Sequence, residues 1–98
     1  MSTIFDFSAP LWRWSSGKTS WFFITLGTED SALIRHIEGQ FARGFGSIRV
    51  EVTIGESTWH TSIFPSKEKG YILPVKADIR KREGLTEDQE VKVILRVG

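Results

Sequence analysis

Hydrophobic and polar residues alternate along most of the chain, and at two places the apolar spacing lengthens to that of a helix. From Ile4 to Trp14 the positions Phe5, Phe7, Ala9 and Leu11 keep step, Trp12 and Trp14 fall on the opposite parity, and Pro10 predicts a bulge or an edge. Ser15 to Thr19 has turn chemistry and Trp21 to Leu26 reads as a second strand, which makes a hairpin of the opening segment. Thr28 stands at an N-cap position and Glu29 and Asp30 place negative charge in a first turn. Leu33, Ile37 and Phe41 then recur at helical spacing with Ile34 beside them, predicting an amphipathic helix over about Glu29 to Gln40.

Gly44-Phe45-Gly46 breaks that helix, and Ile48, Val50, Val52 and Ile54 alternate with Arg49, Glu51 and Thr53 in the cleanest half-buried strand of the chain. Gly55-Glu56 turns into Ser57 to Phe64, where Trp59, Thr61 and Ile63 share one face and His60, Ser62 and Phe64 the other. Pro65 to Gly70 reads as a polar loop and Tyr71 to Leu73 as a short strand. Pro74 suits the first turn of a second helix, with Val75, Ile79 and Arg82 on one face and Gly84 at its C-cap. Glu90 to Val97 alternates again as the last strand. The order ββαβββαβ predicts a mainly β member of the α+β class over residues 1–98, a single domain. Its strand edges need protection, which favours a compact six-stranded barrel or double-split barrel with two short capping helices.

Two segments share one grammar, in which a short strand ends in Leu and a helix and a long alternating strand follow. Ile24 to Gly27, the first helix and Ser47 to Ile54 form one copy; Tyr71 to Pro74, the second helix and Glu90 to Val97 form the other. An internal pseudo-two-fold is the expectation this raises.

Ninety-eight residues suffice for one modest core, and four Trp with seven Phe supply large side chains to fill it. Thirteen Lys and Arg against twelve Asp and Glu leave a formal net charge of +1, which argues against tight, sequence-independent binding to phosphate backbones. The absence of cysteine excludes disulfide scaffolds, thiolate metal sites and cysteine nucleophiles. The longest apolar stretch, Trp21 to Ile24, is far too short to span a bilayer, so a soluble, cytoplasmic protein with no membrane partner is expected.

Five blocks, Phe7 to Trp14 (FSAPLWRW), Trp21 to Leu26 (WFFITL), Gly46 to Ile54 (GSIRVEVTI), Trp59 to Pro65 (WHTSIFP) and Tyr71 to Leu85 (YILPVKADIRKREGL), occur in an order that resembles the domain of unknown function 1905 family. The resemblance covers nearly the whole chain. Gly27 departs from the Pro usual in that family, and Glu87-Asp88 stands near a common Gly-Asp pair. What the resemblance implies is an architecture, with no assigned biochemical activity. The C-terminal block alone, Gly70 to Pro74, an Arg-containing helix, Gly84-Leu85 and a closing strand, is similar to the AbrB-like DNA-binding motif, two copies of which build a double-split barrel. That similarity implies one chain supplying both copies, with DNA binding by analogy only.

Candidate chemistry is sparse. His36 and His60 are the only histidines, and without Cys they do not make a zinc ligand set, so neither metal nor cofactor is expected. His60 near Ser57, Thr58, Thr61 and Ser62 offers the ingredients of a small hydrolase, yet no Gly-flanked nucleophile turn accompanies them and no catalytic residue is assigned. Lys69, Lys76, Arg80, Lys81 and Arg82 form a locally basic stretch which, with Tyr71 to stack a base, is the nucleic-acid alternative. The tryptophans are the most informative side chains. An outward pair at Trp12 and Trp14, or a cluster with Trp21, Trp59 and His60, is a natural site for a small apolar ligand or a protein partner. A noncatalytic binding module, monomer or homodimer, is therefore the leading expectation.

Overall fold

The structure is a computed structural model and describes residues 2–38, 46–66 and 70–98. Among these residues the elements are β1 (Thr3–Ser16), β2 (Thr19–Thr25), α1 (Thr28–Glu38), β3 (Ile48–Ile54), β4 (Ser57–Ser66), β5 (Gly70–Pro74), α2 (Ala77–Glu83) and β6 (Glu90–Val97). The order matches the ββαβββαβ pattern of the sequence. Strict alternation puts Ile48, Val50, Val52 and Ile54 of β3 and Val91, Val93, Leu95 and Val97 of β6 inside, because successive strand side chains point to opposite faces. All pairings are antiparallel, and the strands close into a barrel in the order β1-β2-β5-β4-β3-β6. Closure removes the free edges that an open six-stranded sheet would expose.

The two longest strands each serve two neighbours. β1 pairs with β6 from Thr3 to Pro10 and with β2 from Leu11 to Ser16; β4 pairs with β3 from Ser57 to Ile63 and with β5 from Phe64 to Ser66. Pro10 is thus neither a bulge nor an edge but the hand-over point of a continuous strand. Leu11 donates to the Gln89 carbonyl and accepts from the Asp88 N–H. By alternation Pro10 therefore turns its donor-free nitrogen toward the β2 side, where pairing has already ended.

The register is invariant under exchange of the two halves. Ile24 pairs with Leu73, and exchanging each for its counterpart places Tyr71 opposite Leu26, whose N–H donates to the Tyr71 carbonyl. Thr25–Ile72 and Val52–Leu95 map onto themselves, so the axis passes through these two pairs. The hand-overs follow the same rule, Leu11–Ile24 corresponding to Pro65–Tyr71. The repeated unit is therefore ββαβ, one strand longer than the strand–helix–strand grammar legible in the sequence.

Four local expectations change. Ser31 donates its N–H to the Gly27 carbonyl, so Gly27 rather than Thr28 accepts the first bond of α1. The helix seats itself through Ser31, whose hydroxyl accepts the Tyr71 N–H at 3.1 Å, and through buried Ile34. That choice leaves Leu33 and Ile37 exposed, and Phe41 and Gln40 lie outside the described residues. Pro74 closes β5 opposite Phe23 instead of opening α2, and Arg82 faces solvent while Val75 and Ile79 enter the core.

Gly55, with φ of 59°, forms the β3–β4 turn beneath the Glu83 carboxylate, which accepts a 2.5 Å hydrogen bond from the buried Ser57 hydroxyl. A side chain at Gly55 would be strained and would collide with that carboxylate. Gly55→Ala is expected to cost about 2–3 kcal/mol in chemical denaturation, from the left-handed backbone plus the displaced charge-assisted hydrogen bond. A cost near zero would show that Glu83 does not tie α2 to this turn.

Candidate ligand groove

The β1–β2 hairpin carries Trp12, Trp14, Trp21 and Phe23 on the outer face because its two-residue turn fixes the register. With Gly17 and Lys18 in the turn, Trp12 lies opposite Phe23 and Trp14 opposite Trp21. The Trp12 and Phe23 rings sit 5.0 Å apart and tilted by 37°, and the Trp12 Nε1–H donates to Thr25 Oγ1 at 2.8 Å. This bond anchors the indole from behind. Trp14 and Trp21, nearer the tip, are about half exposed, at 49% and 53%.

The hairpin face continues across neighbouring strands. Phe23 pairs with Pro74, Thr25 with Ile72, and Ile72 with Phe64, so one apolar surface crosses β1, β2, β5 and β4. Beyond the Ile72–Phe64 pair β4 leaves β5 and follows β3, and the divergence is floored by Thr61 and Ser62. The result is an open groove of about 760 Å³ whose walls include Trp12, Trp14, Trp21, Phe23 and Phe64. Arg49, the cross-strand partner of Ser62, is the one charged residue of its lining among the described residues.

The candidate residues divide. Trp12, Trp14 and Trp21 come together in the groove. Trp59 is 9% exposed and belongs to the core. With His60 it borders a smaller hollow of about 360 Å³, which shares Trp21, Thr61 and Pro74 with the groove. His60 is exposed and its Nε2 lies 3.4 Å from a Glu51 oxygen. Nearby hydroxyls are engaged elsewhere, Ser57 with Glu83 and Thr58 with Thr53. Phe23, Phe64, Ile72 and Pro74 escaped the sequence reading. Phe23 was within reach, since a two-residue turn alone places it opposite Trp12; the others depend on long-range pairing.

The basic candidates are not equivalent. Arg80 holds its guanidinium 3.8 Å from the Phe22 ring centre and donates from Nε to the Val75 carbonyl at 3.2 Å, fastening α2 to the hairpin. Lys76, Lys81 and Arg82 are exposed, and Lys69 lies outside the described residues. Tyr71, the expected stacking residue, is buried at 3% exposure, with the Arg35 guanidinium 5.8 Å above its ring. Among the described residues no three His, Asp or Glu side chains gather as a metal set, and no helix is long and apolar enough to cross a membrane.

The internal two-fold supplies a control for the groove. The positions equivalent to Trp12, Phe23, Phe64 and Ile72 are Ser66, Gly70, Pro10 and Thr25. The same strand geometry therefore stands in the other half without outward aromatics at these positions. Barrel packing does not require them.

Fold and groove define a small pseudo-symmetric barrel domain with an aromatic surface site. Over residues 7–95 the chain matches the family model described as domain of unknown function (DUF1905), and it belongs to that family. No curated protein matches it.

Proposed function

We propose that the domain is a noncatalytic binding module that takes a small apolar ligand in the Trp12–Trp14–Trp21 groove. The observation that carries this reading is the asymmetry between the halves. One half exposes a continuous aromatic wall, at a solvation cost, that its structural twin does without. The groove volume of about 760 Å³ is that of a small-molecule site, which typically spans about 300–1,000 Å³.

Tryptophan fluorescence tests it, because three of the four indoles line the groove. Titration with naphthalenemethanol, a neutral planar probe, is expected to give saturable quenching with a Kd below about 1 mM. Silence up to that concentration would overturn the small-molecule reading and leave the groove to a protein surface. Duplex DNA at two salt concentrations is the companion titration. Salt-sensitive quenching there would put the basic face of α2 first instead.

A further inference from the structure

We infer that the groove selects an aromatic monocarboxylate, its ring system lying along the tryptophan wall and its carboxylate held by Arg49; this rests on the binding role just proposed. Among the described residues no Asp or Glu lines the groove, and the Arg49 guanidinium has no hydrogen bond or ion pair. The acid closest along its own strand face, Glu51, is already occupied. Its Oε2 accepts from Arg96 Nη2 at 2.8 Å and faces His60 Nε2 at 3.4 Å.

The pseudo-two-fold again provides the comparison. The counterpart of Arg49 is Lys92, and Lys92 reaches diagonally across the strands to Asp6, 4.0 Å away. The counterpart of Asp6 is His60. Where one half supplies its cation with a carboxylate, the groove half has a histidine turned to a different acid. Arg49 borders the apolar groove beside its cross-strand partner Ser62, and on its other side a smaller hollow shared with Glu51, His60 and Arg96, where Glu51 is already taken by Arg96. A planar guanidinium presents a fork of N–H donors that a carboxylate accepts in bidentate fashion. Ring stacking on Trp14 and Trp21 and a charge-assisted fork at Arg49 together describe an amphipathic acid rather than a neutral hydrocarbon.

Calorimetric titration of naphthoate and naphthalenemethanol, equal in ring system and different in charge, separates carboxylate recognition from binding in the groove. The protein is expected to bind naphthoate at least about tenfold more tightly. Arg49→Gln is expected to erase that preference by weakening naphthoate alone, naphthalenemethanol staying within about twofold, and Arg49→Lys to restore it only in part. Lys92→Gln, at the symmetry-related cation, is expected to leave both affinities unchanged. Equal affinities in the unmodified protein, or an equal loss in Arg49→Gln and Lys92→Gln, would overturn the carboxylate assignment while leaving the groove intact. Failure of both probes to bind would overturn the groove itself.

Discussion

Replacing Trp14 and Trp21 together by alanine is expected to weaken naphthalenemethanol binding by more than about tenfold while leaving the barrel folded. The two indoles form a cross-strand pair on the outer face near the hairpin tip, each about half exposed, so their removal opens no cavity in the core. The pair itself contributes about 0.2–1 kcal/mol to the hairpin, which bounds the loss of stability. Binding, by contrast, loses much of the wall on which a planar ligand stacks. Fluorescence from Trp12 and Trp59 still reports on the variant, and thermal unfolding followed by circular dichroism checks the fold. Unchanged affinity in a folded variant would show that ligand does not lie along this wall.

The opposite pattern is expected for Leu95→Ala. Leu95 is fully buried, lies opposite Phe5 of β1 on one side and Val52 of β3 on the other, and the pseudo-two-fold axis passes between it and Val52. Removing its side chain costs the transfer energy of the lost methyl and methylene groups plus a cavity that closed strands cannot easily collapse, about 2–5 kcal/mol. For a domain of this size that lowers Tm by roughly 10–30 °C. A loss below about 1 kcal/mol would mean that the barrel interior is looser than the burial pattern shows. Together the two variants separate what stabilises the fold from what the proposed function uses.

How much of this was legible in the chain follows from which interactions are local. Alternation in Ile48 to Ile54 and in Glu90 to Val97 reports directly on a two-sided strand, and the turns at Gly17-Lys18 and Gly55-Glu56 are chemically marked, so element order could be read. The face of α1 could not. Leu33, Ile37 and Ile34 satisfy helical spacing in more than one way, and only the hydrogen bond from Tyr71, forty positions along, selects the Ser31–Ile34 side. The partner switches of β1 and β4 have no local signature beyond Pro10. For the same reason the full ββαβ repeat stayed hidden, its leading strands sharing little sequence and differing in length. The groove was half legible. Parity placed Trp12 and Trp14 outward, but Phe64, Ile72 and Arg49 join them only through the β2–β5 and β4–β5 pairings and the divergence that follows.

The most direct test of the groove is the chemical-shift response of the four indole N–H resonances during titration with naphthoate. Trp12, Trp14 and Trp21 are expected to move saturably with one shared Kd while core-buried Trp59 moves far less. A shift dominated by Trp59, or none at millimolar probe, would contradict binding in the groove.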